Sequence, residues 1–192
     1  MAALFPAFIT TVGGYLDTKT PKTEKETADF IAAAYRVAVS TATITSIPGS
    51  FILTTPAESG IADGFLEAFN LIKEENEIKK SHFSSLSDAI ISFWDRVRWS
   101  TVPPTGYVGP DPAGFPGPGV NYSSTGVKSN ISSDLFGVFS QPPISSPGGV
   151  LFSTGLSNTF KSHLYSINGT YAGLVPGTPP VPGPPFLWAG VS

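Results

Sequence analysis

Hydrophobic residues recur at three- and four-residue steps in four stretches of the chain, and each stretch predicts a helix with one apolar face. The clearest runs over residues 87–100, where Ile90, Phe93 or Trp94, and Val97 share a face while Asp88, Asp95, Arg96 and Arg98 fall mostly elsewhere. Ser85 with Asp88 offers its cap, and Pro103-Pro104 forbids its continuation. An earlier helix should begin near Thr20-Pro21 or at the Thr23/Glu26 capping box, with Ala28, Ile31, Tyr35 and Ala38 or Val39 as its stripe. It should fade in the β-branched run 40–47, followed by a Pro48-Gly49 turn and a short strand over 50–55. Thr55-Pro56-Ala57-Glu58 combines an N-cap, a first-turn proline and a capping glutamate, so a helix is expected from there through Ile61, Phe65, Phe69 and Ile72. Gly60 and Gly64 inside it mark close packing or simple tolerance. The fourth helix, about 155–168, carries Leu156, Phe160, Leu164 and Ile167, with Asn168-Gly169 as a left-handed cap.

Three of these helices align. With Asp29, Asp88 and Asn158 superposed, Ile31, Ile90 and Phe160 coincide, as do Tyr35, Trp94 and Leu164, and Val97 meets Ile167. Each leads into Ser/Thr and then an extended, proline-bearing strip. Degenerate copies of one helix-plus-arm unit would give this match, and so would unrelated amphipathic helices, because the spacing between the three is irregular.

Charge changes the picture beyond residue 100. Of eleven basic and fourteen acidic residues, residues 101–192 hold only Asp111, Lys128, Asp134 and Lys161, yet they hold most of the nineteen prolines and twenty glycines. Disordered chains stay in solution through high charge and few aromatics, and this half has the opposite composition. It is expected to lie extended against other protein. The layout that follows is an apolar N-terminal arm over 1–19, a helical body over 20–100, and a Pro/Gly-rich extended region over 101–192 containing one helix. The fold class is mainly α with irregular arms and little regular sheet. Residues 15–100 are expected to fold alone.

Chemistry is thin. Without cysteine there are no disulfides, thiolate metal sites or cysteine nucleophiles. His82 and His163 lack an H-E-x-x-H partner or any regular ligand spacing, so structural or exposed roles are expected and no metal or cofactor is assigned. Asp88 and Asp95 imitate a carboxylate pair but fit a solvated helix face, and no nucleophile elbow, P-loop or dinucleotide fingerprint occurs. A net charge of -3 without a basic cluster excludes nucleic-acid and anionic-membrane surfaces. Residues 1–12 lack a basic segment and carry Pro6, so neither a signal peptide nor a membrane span is expected there. The run 179–185 contains P-x-x-P and would adopt polyproline II, without the basic flank that SH3-like grooves favour. Asn121, Asn130 and Asn168 begin glycosylation sequons, which chance supplies readily in a chain so rich in Ser and Thr.

In layout, a small helical body with neutral Pro/Gly/aromatic arms, no cysteine and no catalytic motif, the chain resembles the minor structural proteins of large virions, tailed bacteriophages above all. The resemblance implies a non-enzymatic part of a neck, tail, baseplate or capsid, assembled in the host cytoplasm, with other structural proteins of the same assembly as partners in multiple copies. Trp94, Trp99, Tyr107, Phe115, Tyr171, Phe186, Leu187 and Trp188 are the expected interface residues, the last three anchoring a C-terminal arm. A secreted or cell-surface adhesion module is the alternative, favoured by the sequons and opposed by the lack of a signal peptide and of disulfides. A hydrolase built from scattered acidic residues is the weakest reading.

Overall fold

The computed structural model describes residues 4–42, 50–102, 124–141, 148–171, 174–175, 181–182 and 186–189. Among them are six α-helices: α1 (Phe5–Asp17), α2 (Glu24–Val39), α3 (Ser59–Glu75), α4 (Ser84–Arg96), α5 (Ser124–Phe139) and α6 (Gly148–Ser166). Three small antiparallel ladders accompany them: β1 (Ser50–Thr54) with β2 (Arg98–Val102), β3 (Asn168–Tyr171) with β6 (Phe186–Ala189), and β4 (Leu174–Val175) with β5 (Val181–Pro182). The fold is mainly helical with little sheet, as the apolar periodicity predicts.

Local signals decide the boundaries unevenly. The Thr23/Glu26 capping box forms in full: the Glu26 amide donates to Thr23 Oγ1 (3.1 Å) and the Thr23 amide to Glu26 Oε2 (2.8 Å). The Thr55-Pro56 signal does not start α3, because Arg36 Nε donates to the Thr55 hydroxyl at 3.2 Å and the first helical amides, Ile61 and Ala62, fold back onto the Glu58 carbonyl instead. Nor does Ser85 cap α4. A 3-10 turn, Lys80–Phe83, delivers the chain directly into that helix. α6 ends at Ser166 without the Asn168-Gly169 cap, since Asn168 is already paired with Ala189 in a ladder. α3 stops at Asn76, whose φ of 50° lies in the left-handed region that asparagine tolerates.

Two helices occupy ground expected to be arm. α1 is a regular helix inside the span 1–19, with Phe5, Phe8 and Val12 buried, and α5 lies within the Pro/Gly-rich half with Ile131 and Leu135 buried. α6 is longer than expected, beginning at Gly148. The body therefore does not end at residue 100. Phe160 of α6 meets Tyr35 of α2 (4.5 Å between ring centroids) and Phe8 of α1 (5.7 Å), so residues 15–100 hold only part of one core.

Contacts between successive helices show the topology. The Leu4 amide donates to the Ala38 carbonyl (2.7 Å), which sets the start of α1 beside the end of α2. Ion pairs Arg36–Glu58 and Lys73–Glu24 make α2 and α3 antiparallel. Phe83 against Phe139 (4.8 Å) and the Lys128–Asp88 ion pair do the same for α4 and α5, and Phe139 against Phe152 (4.9 Å) for α5 and α6. The ring closes where the Gly149 amide donates to Asp17 Oδ1 at 2.8 Å, bringing the start of α6 to the end of α1. Each helix packs on its neighbours in sequence, and α6 packs on α1.

Among the described residues the helices thus form three hairpins, α1/α2, α3/α4 and α5/α6, each followed by a strand. The second and third match at a constant offset of 70 residues without a gap, through Ile61/Ile131, Phe65/Leu135, Phe69/Phe139, Leu86/Leu156, Ser87/Ser157, Ile90/Phe160, Trp94/Leu164 and Val97/Ile167. The first joins them through Phe8, Val12, Leu16, Ala28, Ile31, Tyr35 and Ala38. Of these positions the three counterparts at Phe8, Val12, Ala28, Ile31, Tyr35 and Ala38 are all buried, and the three at Leu16 are all partly buried. Burial that agrees position by position supports the helix-plus-arm repeat and enlarges its unit to a hairpin plus strand.

Candidate functional site

The second helices of the three hairpins, α2, α4 and α6, meet through large side chains. Trp94 Nε1 donates to Tyr35 Oη at 2.7 Å, and Tyr35 also stands edge-on to Phe93 (5.7 Å). Trp94 has no exposed surface. The expectation that it is an interface residue is therefore corrected: its indole is held in the protein's own core by the tyrosine hydroxyl, the partner a buried tryptophan requires.

The other expected interface residues lie in strands or outside the described residues. Trp99 lies in β2 opposite Leu53, and Tyr107 and Phe115 lie outside the described residues. Tyr171, Phe186, Leu187 and Trp188 are brought together in one ladder, where Tyr171 faces Phe186, Thr170 faces Leu187 and Gly169 faces Trp188. Within the expected C-terminal arm, Phe186–Ala189 are thus a strand paired within their own chain. Val181–Pro182 likewise pairs with Leu174–Val175, so this part of the 179–185 run is strand where polyproline II was expected.

Two grooves open on the described helices. One, about 790 Å³, runs between α5 and α6 and is lined by Asp134, Val138, Phe139, Leu151, Phe152 and Gly155 among others. A smaller apolar one, about 240 Å³, runs between α1 and α2 past Leu4, Phe8, Phe30, Ala33 and Val37. They occupy corresponding places in their hairpins, with Thr11 matching Asp134, Phe30 matching Thr159 and Ala33 matching Ser162. Leu151 and Val37 are 52% and 64% exposed at their edges. Neither groove follows from the sequence pattern, since α1 falls within the span expected to be an arm and serines blur the apolar face of α5.

The titratable groups are committed elsewhere. His82 is buried, with Nδ1 accepting from the Lys79 amide (3.4 Å) and Nε2 3.2 Å from Glu75 Oε2, an arrangement suited to a neutral ring protonated at Nε2. Hydrogen bonds from Lys79 and His82 hold the Glu75 carboxyl below the usual carboxylate range. Burial pushes His163 down to about 4, so it is neutral at pH 7. Asp88 is paired with Lys128, and Asp95 is exposed. Among the described residues no three His, Cys, Asp or Glu side chains gather to hold a metal ion. No described helix is long and apolar enough to cross a membrane. No protein family, curated protein or solved structure matches the chain.

Proposed function

We propose that the chain is a non-enzymatic structural part of a viral particle, seated in a neck, tail, baseplate or capsid and bridging larger subunits through the strands and arms that leave its helical body. The observation that carries this reading is the division of labour within the repeat. The helices close a core of their own, whereas the segments after α4 and α6 are almost free of charge and rich in Pro, Gly and aromatics, a composition suited to burial against other protein. The exposed apolar side chains Val150, Leu151 and Tyr165 add contact area on α6.

Quantitative mass spectrometry of gradient-purified particles tests the proposal. The expected result is a fixed, reproducible copy number per particle that survives a high-salt wash, since neutral contacts are little screened. Recovery of the chain only in the free-protein or secreted fraction would overturn it.

A further inference from the structure

The second helices of the three hairpins carry equivalent outward stripes, and one of the three differs in kind. In α2 the stripe is Glu26, Asp29, Ala33 and Arg36, and in α4 it is Ser85, Asp88, Ser92 and Asp95, each with the charges of a solvated face. In α6 the same positions are Gly155, Asn158, Ser162 and Tyr165, with no charge at all. Extended back to Leu151 and Gly148, this stripe advances by alternating steps of three and four, the 3.5-residue period of helices that pair with helices. Tyr165 is 64% exposed, and the other five residues line the groove between α5 and α6. The repeat has thus kept two outer stripes for water and made the third unsuited to it.

We infer that this face pairs with the same face of a second copy of the chain, α6 antiparallel to α6 about a twofold axis that crosses between Gly155 and Asn158. The stripe is complementary to itself only in reverse. Small residues stand at every seventh place, Gly148, Gly155 and Ser162, and larger ones at Leu151, Asn158 and Tyr165. Antiparallel pairing sets Gly148 against Tyr165, Leu151 against Ser162 and Gly155 against Asn158, so each layer holds one small and one larger side chain. Parallel pairing would stack glycine on glycine and tyrosine on tyrosine. The area also suffices. With 19 residues α6 is about 28 Å long, and with α5 beside it the face is about 20 Å wide, which gives about 550 Å² per copy and about 1,100 Å² in total, above the roughly 1,000 Å² that a specific interface needs. Asp134 is the one charged residue on the groove. Val138 lies against Gly155 in the antiparallel α5/α6 hairpin, so Asp134, one turn back, is level with Asn158 and close to the axis. There the carboxylates of the two copies oppose the pairing, which keeps it reversible.

Sedimentation equilibrium and cysteine crosslinking of the purified full chain test it. The chain has no cysteine, and Leu151 and Ser162 lie about 16 Å apart along α6, too far for a disulfide within one copy. The expected outcome is a monomer–dimer equilibrium in the micromolar range. The double variant Leu151→Cys/Ser162→Cys should close a disulfide-linked dimer under air oxidation, and neither single variant should do so at the same concentration. Gly148→Cys with Tyr165→Cys is the second pair should the first not fold. Tyr165→Ala should weaken the dimer about 30-fold, as loss of an anchoring aromatic does, and Asp134→Asn should tighten it. A monomer throughout the micromolar range, a dimer that Leu151→Cys alone links, or a dimer that Tyr165→Ala leaves intact or Asp134→Asn fails to tighten overturns the inference. The structural role proposed above stands or falls separately, since it concerns the segments that leave the helices.

Discussion

Ser87 and Ser157 fill the same place in two repeats and meet different surroundings. Ser87 Oγ donates to the Phe83 carbonyl (2.7 Å) and lies 2.7 Å from Ser132 Oγ, while Ser157 Oγ is buried without a hydrogen-bond partner among the described residues. The first repeat uses Ala28 there. A buried hydroxyl without a partner costs about 1–3 kcal/mol, so Ser157→Ala should stabilise by about 1 kcal/mol and Ser87→Ala should destabilise by a similar amount, read as opposite shifts in urea midpoint. His163 shows the same logic with charge. Its folded pKa, about 4, lies below the ordinary 6.5, so the unfolded chain binds the proton more readily. The stability this contributes is complete above pH 6.5 and is lost as pH falls toward 4, to a total of roughly 3 kcal/mol. Phe93 holds the corresponding place in the second repeat, and His163→Phe should flatten the loss of melting temperature between pH 6.5 and 4. An unchanged acid slope would show that another group carries it.

Between elements, the two glycines of α3 separate packing from tolerance. A Cβ on Gly64 would sit 2.7 Å from Leu86 Cα, so α3 and α4 approach closely only because no side chain intervenes, whereas a Cβ on Gly60 meets nothing within 4 Å. Gly60→Ala should stabilise by up to about 1 kcal/mol through helix propensity. Gly64→Ala should destabilise, with a melting temperature several degrees below the parent, because Leu86 backbone must shift. Comparable melting temperatures for the two variants would contradict the close approach. These contrasts mark what was legible in the sequence. Faces with Ile, Phe and Trp at helical steps, as in α2, α3 and α4, were readable because charged residues on the opposite side sharpen the pattern. α5 was not, since Ile131, Leu135 and Phe139 keep the step but their opposite face is Ser and Gly rather than charge. Phe5, Phe8 and Val12 keep the same step in α1, with Pro6 in the first turn where proline is tolerated, but no charged residue before Asp17 marks the opposite face. The Trp94 face was recognised as apolar, but periodicity tells only that a face is covered and not by which chain covers it.

At the scale of the molecule, the shared core sets what can be cut. A fragment of residues 15–100 loses Phe8, Val12, Leu156, Phe160 and Leu164 from a core whose centre is Tyr35 and Trp94. Several buried side chains at about 1.5–3 kcal/mol each exceed the stability of an ordinary domain. The fragment should keep helical far-UV circular dichroism, lose near-UV signal and show no cooperative melt, whereas the full chain should melt in one transition. A cooperative melt of the fragment would show that two repeats suffice. The closure of α6 on α1 also has a consequence in time. At a synthesis rate of about 5–20 residues per second, the roughly 150 residues between Phe8 and Phe160 take about 8–30 s to make. Throughout that interval the first helix can be covered only in part, by α2, while the face that carries Phe8 waits for α6, the last helix made. The chain is vulnerable to premature encounters between nascent copies on one message, and a late stop anywhere before α6 leaves not a shorter protein but an unfinished one.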